Sequence, residues 1–192
     1  MFPFRLPLGL AIAVLATAWI APAPFFGHGH RTFHTLGLLV IFAGLALRAW
    51  GAGSAGFHTR SGQIEAPRLS TGGPFAHVRN PIYLGSILLG IGMSLLIGDP
   101  LAFLFTTIAF SMLYFGIVPA EEEFLRDQFG AEYLRYRDAV PRFIPLLQPW
   151  RGRTKRAFAW RAIRGELGIL LVLVAIYVVL LLKNHPGDIR AA

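Results

Sequence analysis

The sequence has two polar segments suited to chemistry, and each adjoins an apolar stretch. The first covers residues 72–85, where Gly72 and Gly73 precede Arg79 and Pro81 can occupy the first turn of a helix. The free N–H groups at such a helix start, with an arginine beside them, suit an anion such as a carboxylate. The alternative is a simple entry turn at a membrane surface, in which Arg79 is only a basic flank of the apolar stretch.

The second segment is a run of three glutamates, Glu121, Glu122 and Glu123, directly after an apolar stretch. Neighbouring carboxylates repel each other and lose hydration near a membrane, so their presence there has a cost. One of them could accept hydrogen bonds from an ammonium group or from ribose hydroxyls. The alternative is that they complement the helix dipole, with a Glu122–Arg126 pair one turn apart.

A third segment follows, over residues 129–137 and 140–145. Tyr133 and Arg137 are four residues apart and share a helix face with Gly130. An amphipathic helix at the membrane surface would show the same pattern. The basic run over residues 151–164 is predicted to bind anionic lipid headgroups and to fix the last apolar stretch.

The composition indicates which elements must position these segments. Of the 192 residues, 55% are hydrophobic and 15% are charged, and the mean hydropathy is +0.56. A chain of this size cannot bury so much apolar surface in its own core, so a bilayer must solvate part of it. The absence of cysteine excludes disulfides and thiolate sites, and no histidine spacing predicts a metal site. The net charge of +8 would suggest nucleic acid for a soluble protein, but the charges cluster between apolar stretches, and we expect no nucleic-acid partner.

Five apolar stretches predict an all-α integral membrane protein with about five transmembrane helices, at residues 6–26, 32–47, 80–98, 100–120 and 167–182. The first could instead be a cleaved signal peptide. The second and fifth are near 24 Å long, at about 1.5 Å per residue. They can span if Arg48, Trp50 and Lys183 reach the interface, which leaves no charged residue at depth in any span.

The distribution of basic residues predicts the topology. The link at residues 98–100 is short enough to force an antiparallel hairpin, and 15 of the 18 lysines and arginines fall on one side. The positive-inside rule places the amino terminus, the 49–79 loop and the 119–165 segment in the cytosol, and the carboxyl terminus outside. From Pro119, at a first-turn position, a helix is predicted to run to Gly130, and a second to cover residues 131–139.

Taken in order, these motifs resemble the isoprenylcysteine carboxyl methyltransferase family and the related phospholipid N-methyltransferases. The shared pattern is Gly-Pro-Phe, then Arg-Asn-Pro-Ile-Tyr-Leu-Gly, a hairpin of two spans, Glu-Glu-Glu, Phe-Gly-x-x-Tyr-x-x-Tyr and Val-Pro-Arg-x-Ile-Pro. It covers roughly residues 60–146, which would be the cofactor-binding core of a single domain over residues 1–192. Residues 1–59 would be accessory spans, and residues 150–192 a basic juxtamembrane segment with the last span.

The resemblance implies an integral-membrane methyltransferase that uses S-adenosylmethionine, releases S-adenosylhomocysteine and methylates a lipophilic small molecule or lipid. No Gly-x-Gly-x-x-Gly follows a strand, which agrees with the lack of a soluble Rossmann domain. Its pocket would lie at the cytosolic face, formed by loops and short helices. Carried over by motif, the cofactor-binding residues would be Pro67, Arg68, Leu69, Ser70, Phe75, Arg79, Asn80, Pro81, Ile82, Tyr83 and Glu121 or Glu122. No catalytic residue is assigned.

Two departures from the family pattern bear on the substrate. Asn80 stands where the family has a histidine, and asparagine cannot titrate. Ile117 stands where the prenylcysteine enzymes have a substrate-binding arginine, four residues before the matched glutamate. A carboxylate substrate would lose its cation there unless Arg142 or Arg137 replaces it, so the acceptor is predicted not to be a prenylcysteine bound in the same way.

A different class of protein remains possible, namely a small transporter, a scaffold or an inactive member of the family. Transporters usually place ionisable groups inside their spans and show repeat symmetry, and neither feature is expected here. The arginine-rich, lysine-poor composition suggests a bacterium with GC-rich DNA, and we therefore predict a bacterial inner-membrane protein.

Overall fold

A computed structural model describes residues 30–55, 68–98, 100–154 and 157–184 of the chain. Every regular element within these ranges is helical, which confirms the predicted all-α class. The elements are α1 (His30–Ala55), α2 (Pro81–Ile97), α3 (Pro100–Phe129), α4 (Ala131–Ala139) and α5 (Arg164–Asn184), with short 3-10 helices at Gly73–Ala76 and Trp160–Ile163. The predicted first span, Pro67 and the carboxyl terminus lie outside the described residues.

Within the described part of the chain, two helices are long and apolar enough to cross a membrane, over Thr32–Ala55 in α1 and Phe103–Phe129 in α3. At 1.5 Å per residue these segments extend about 36 Å and about 40 Å. The helix α2, with 17 residues, is apolar but shorter. These helices support a membrane location, while the number of five spans and their orientation stay predictions.

Glycines set the close packing of α1 on α2. A methyl group added at Gly37 would lie 2.9 Å from the carbonyl oxygen of Gly92, and one at Gly44 would lie 2.8 Å from that of Gly85. Later glycines in α1 therefore meet earlier ones in α2, so the helices are antiparallel. Small residues at such an interface let two backbones approach closely, as in many membrane helix pairs.

The predicted hairpin of α2 and α3 is confirmed. Gly98, with a φ of 71°, ends α2 in the left-handed conformation that glycine adopts most easily. Near the other end of the pair, the rings of Tyr83 and Tyr114 lie 4.9 Å apart, and Gly90 faces the ring of Phe110. Along this contact the residue numbers of α2 rise while those of α3 fall, so the two helices run antiparallel.

The helix α3 differs from its predicted form at one residue. Pro119 lies inside a continuous 30-residue helix and not at the first turn of a new one. The ring removes one backbone donor and leaves the carbonyl of Phe115 without its usual partner, a loss that long membrane helices tolerate. The predicted end at Gly130 is confirmed, since that residue has a φ of 52° and α4 begins at the next residue.

The prediction for Arg48 was wrong. The helix α1 continues past it to Ala55, and the Arg48 side chain is buried instead of reaching the interface. Its Nε donates to Oε2 of Glu166 at 2.8 Å, and its Nη1 donates to the Ile82 carbonyl at 3.3 Å and to the Ser86 hydroxyl. A charge at this depth is tolerable only when it is paired, and the pair joins α1, α2 and α5.

The helix α5 also packs on α2 through apolar side chains. The buried cluster consists of Leu89, Met93 and Leu96 from α2 and Ile169, Leu173 and Ile176 from α5. Together with the Arg48–Glu166 pair, this contact fixes α2 between α1, α3 and α5. The residues at its amino-terminal end are therefore held on a rigid support.

Candidate functional site

The amino-terminal end of α2 meets the triple glutamate near the end of α3. The Tyr83 hydroxyl donates to Oε2 of Glu121 at 2.6 Å, a short distance typical of a bond to an ionised carboxylate. The antiparallel hairpin makes this contact possible, because it places the first turn of α2 beside the glutamates. Both residues are half-buried, so a ligand can reach the pair.

Glu122 lies at the centre of a cluster of charges. Arg142 donates to it with two nitrogens, Nε to Oε1 at 3.0 Å and Nη2 to Oε2 at 2.5 Å, and Nη2 of Arg79 lies 3.2 Å from Oε1. The Glu122 side chain is 11% exposed, whereas that of Arg142 is 40% exposed. The hydrogen bonds to Glu122 raise the pKa of Arg142 above its usual value. Two guanidinium groups share one carboxylate, so this cluster carries an excess positive charge.

The turn before α2 is tied to the end of α4 and to the segment that follows it. The Arg79 backbone N–H donates to the carbonyl of Pro141 at 2.9 Å, and Nη1 of Arg79 donates to the carbonyl of Arg137 at 2.6 Å. The Asn80 amide donates to the carbonyl of Arg142 at 3.3 Å. The first and third polar segments of the sequence thus form one structure around Glu122, which the spacing along the chain did not reveal.

Tyr133 is the largest side chain that is almost fully buried, and its exposed fraction is 2%. Its hydroxyl and Nε of Arg79 are buried donors that have no hydrogen-bond partner among the residues described by the structure. Burial raises the pKa of the Tyr133 hydroxyl to about 12, and the Glu122 charge adds to this effect. Tyr133 therefore remains a proton donor at neutral pH, and both groups could serve an oxygen acceptor.

Other predicted cofactor residues have structural contacts of their own. Leu69 is buried in a cluster with Tyr133, Tyr136 and Val140, so its side chain belongs to the core. Phe75 is half-buried, and its carbonyl accepts a hydrogen bond of 2.8 Å from the Tyr136 hydroxyl. Arg68 is exposed and Ser70 is half-buried. Leu69 and Phe75 thus contact the tyrosines of α4, Tyr133 and Tyr136.

The remaining predicted residues lie on the two helices of the hairpin. Pro81 is fully buried in the first turn of α2, and the Ile82 carbonyl accepts hydrogen bonds from Arg48 and Ser86. Ile117 is half-buried on α3, one turn before Glu121 and on the same face. The structure thus places Ile117 on the membrane side of the glutamates.

Two residues near the site were not assigned to it from the sequence. Tyr133 was noted only for its helix face, although it lies within the Phe-Gly-x-x-Tyr-x-x-Tyr motif. Tyr114, whose ring contacts that of Tyr83, was not considered. Its position seven residues before Glu121 places it two turns away on the same helix face, and this was the available signal.

The arrangement can bind a polar, zwitterionic molecule beside an apolar helix surface. The Glu121–Tyr83 pair and the Glu122–Arg79–Arg142 cluster lie at one end of a hydrophobic hairpin. Two buried donors there, Nε of Arg79 and the Tyr133 hydroxyl, have no partner among the described residues. Among the described residues, no group of three His, Asp or Glu side chains is placed to hold a metal ion. The charged groups and hydrogen-bond donors of the site decide which molecules it can recognise.

Comparison with known families shows which family the chain belongs to. Residues 32–132, which include nearly all of α1, all of α2 and all of α3 with its glutamates, match the family model for phospholipid methyltransferases. The chain belongs to the phospholipid methyltransferase family. The prediction of a methyltransferase similar to the isoprenylcysteine enzymes is thereby confirmed at the level of the family.

Individual relatives are named protein-S-isoprenylcysteine O-methyltransferases. The chain is 26% identical over 144 residues to protein-S-isoprenylcysteine O-methyltransferase B of Arabidopsis thaliana, covering 72% of this chain and 73% of the relative. It is 33% identical over 79 residues to the Schizosaccharomyces pombe protein-S-isoprenylcysteine O-methyltransferase, covering 41% of this chain and 34% of the relative. It is 30% identical over 118 residues to the Xenopus laevis protein-S-isoprenylcysteine O-methyltransferase, covering 59% and 41%.

The share of each relative that the chain covers limits what the similarity implies about function. The chain spans nearly three quarters of the Arabidopsis relative, but less than half of the yeast and frog relatives. No solved structure matches the chain significantly. The family is therefore established, whereas the methyl donor, the acceptor and the roles of single residues are matters of proposal.

Proposed function

We propose that this protein transfers a methyl group from S-adenosylmethionine to a lipophilic small molecule or lipid at the membrane surface. The observation that carries the proposal is the pairing of Tyr83 with Glu121 beside the Glu122–Arg79–Arg142 cluster. Membership of a methyltransferase family supplies the reaction class. The polar cluster at the end of an apolar hairpin supplies a place where a charged donor and an apolar acceptor can meet.

The residues present fit such a methyl donor. Its ammonium group and ribose hydroxyls are donors, and Glu121 is a half-buried carboxylate that already accepts one hydrogen bond. Its carboxylate needs donors, and Nε of Arg79 and the Tyr133 hydroxyl are buried and unsatisfied within the described part of the chain. When bound, S-adenosylmethionine supplies an electrophilic methyl group on a positively charged sulfur. Arg79, Tyr83, Glu121 and Tyr133 would hold and orient it.

The protein's part in the reaction is positioning and the exclusion of water. In-line methyl transfer needs close alignment of the reacting atoms, and alignment can supply several kcal/mol of rate acceleration. The rigid support of α2 between α1, α3 and α5 holds Tyr83 in place, and α3 brings apolar surface up to the glutamates. An acceptor in the bilayer would reach the site along the α3 face that carries Ile117.

The acceptor is proposed to lack a carboxylate bound as in the isoprenylcysteine enzymes. Ile117 offers no positive charge, and Arg142, the candidate replacement, already makes a bidentate pair with Glu122. A carboxylate at this position would have to compete with Glu122 for its cation. An amine-bearing or neutral lipid needs no such partner.

The direct test is calorimetric titration of S-adenosylmethionine and S-adenosylhomocysteine into the purified protein in detergent. We expect saturable binding of both at one site per chain. Transfer of labelled methyl groups to lipids in reconstituted membranes would then identify the acceptor. If neither S-adenosylmethionine nor S-adenosylhomocysteine binds, the proposal is contradicted and a non-enzymatic or inactive member of the family is favoured.

The acceptor proposal leads to a prediction for Ile117→Arg. A new guanidinium one turn before Glu121 should raise turnover of a prenylcysteine analogue by about tenfold or more, because a buried carboxylate gains its missing partner. The measurement compares the analogue with amine- and hydroxyl-bearing lipids in wild type and variant. Ile117→Leu is the matched control and should leave the preference unchanged. Robust wild-type turnover of the analogue, unaffected by Arg142→Ala, would show that no further cation is needed.

A further inference from the structure

The loop after α4 carries two large apolar side chains that point away from the protein. Ile144 is 80% exposed and Leu147 is 99% exposed. Backbone hydrogen bonds hold this loop in place. The Leu146 N–H donates to the His77 carbonyl at 2.9 Å, and the Trp150 N–H donates to the Ala76 carbonyl at 2.8 Å. These bonds hold the backbone on both sides of Leu147, and the bond from the Arg79 N–H to the Pro141 carbonyl holds it before Ile144, so both side chains are presented at the surface.

The loop lies at the level of an interfacial tryptophan. The His77 ring, whose Nδ1 is 2.7 Å from the Leu146 carbonyl, lies 6.1 Å from the ring of Trp50. Trp50 is 45% exposed and is five residues from the end of the apolar helix α1. Tryptophan at the end of a membrane helix is typical of the headgroup region. The apolar tips of the loop are thus near the height at which α1 leaves the bilayer.

The charges around the loop have the sign that a cytosolic leaflet attracts. Arg151 and Arg153 follow the loop and are exposed. Anionic headgroups attract basic residues that lie near the membrane surface. Apolar side chains flanked by arginines are typical of segments that lie in the plane of the interface.

We propose that residues 144–147 form an interfacial anchor, in which the side chains of Ile144 and Leu147 insert at the boundary between headgroups and acyl chains. Arg151 and Arg153 bind the anionic headgroups around it. The anchor holds the segment that carries Arg142 against the membrane surface, beside the candidate site. This inference concerns the contact with the bilayer and does not depend on methyl transfer.

The chain has no cysteine, so a single fluorescent label can be placed without altering other residues. Leu147→Cys would be labelled with an environment-sensitive dye and reconstituted in lipid nanodiscs, with and without brominated acyl chains. Gln128→Cys, exposed near the charged end of α3, is the matched control. We expect brominated lipid to quench the Leu147 label several-fold more than the Gln128 label, and aqueous iodide to show the reverse order.

A second comparison tests the charges. Lipid quenching at Leu147 should be stronger in nanodiscs with anionic lipid than in zwitterionic ones, and the difference should disappear in the Arg151→Gln/Arg153→Gln variant. Equal access of iodide to both labels would overturn the anchor. A Leu147 label shielded from both iodide and brominated lipid would also overturn it, since a protein surface such as a second copy of the chain would then cover the loop.

Discussion

Glu121→Ala is expected to abolish measurable binding of S-adenosylhomocysteine while leaving the protein folded. The Glu121 carboxylate is half-buried and accepts the Tyr83 hydroxyl at 2.6 Å, so it is fixed where a ligand can reach it. A hydrogen bond to a charged group contributes about 1.5–3 kcal/mol, and a ligand that uses two of them would lose about two orders of magnitude or more in affinity. Calorimetric titration of the purified variant measures the loss.

The neighbouring Glu123 is the control, because it belongs to the same run but its side chain is 66% exposed and pairs with Arg126 at the surface. Glu123→Ala should bind the nucleoside as wild type does. The Tyr83→Phe variant, which keeps the ring and loses the hydroxyl, should show an intermediate loss. If Glu121→Ala and Glu123→Ala bind equally well, Glu121 does not hold the cofactor.

Glu166→Leu is expected to destabilise the protein strongly. It leaves the Arg48 guanidinium buried beside the Ile82 carbonyl and the Ser86 hydroxyl without a counter-charge. Removing one partner of a buried ion pair costs about 3–5 kcal/mol. For a chain of this size that corresponds to a fall of about 10 °C in melting temperature. Thermal unfolding in detergent, followed by intrinsic fluorescence, measures the effect.

The double variant Arg48→Met/Glu166→Leu separates the pair from the packing. It removes both charges and keeps similar volumes, so most of the lost melting temperature should return. The exposed Arg126–Glu123 pair gives the comparison, since breaking it should change the melting temperature little. If the Glu166→Leu variant has the same melting temperature as wild type, the Arg48 charge is not confined to the interior.

Local signals in the sequence predicted a large part of the fold. The three-residue link at residues 98–100 required a hairpin, and Gly130 marked the end of α3 because glycine adopts the left-handed conformation at low cost. The hairpin in turn brought Tyr83 to Glu121, two residues that motif matching had already selected. These features depend on neighbours in the chain or on a single short connection.

Contacts between distant segments could not be predicted in the same way. Arg48 and Glu166 are 118 residues apart, and nothing in the pattern of either one indicates the other. Arg48 looked like a basic flank because the apolar run ends beside it, whereas the buried helix continues for another two turns. The double pairing of Glu122 with Arg79 and Arg142 likewise requires the packing of α4, which a list of motifs does not contain.

The unequal lengths of the hairpin helices affect how the protein fits a bilayer. The 17 residues of α2 extend about 25 Å and the 30 residues of α3 about 45 Å, on either side of the ~30 Å hydrocarbon thickness. The apolar part of α3, residues 100–120, extends about 31 Å and matches this thickness, whereas lipid would have to thin around a spanning α2, at a cost of a fraction of a kcal/mol per Å. Because Glu121 meets Tyr83 at the start of α2, the shorter helix sets the height of the polar cluster above the acyl chains. A thinner bilayer would fit α2 with less distortion, and the elastic state of the membrane would thus help to set the depth of the cluster.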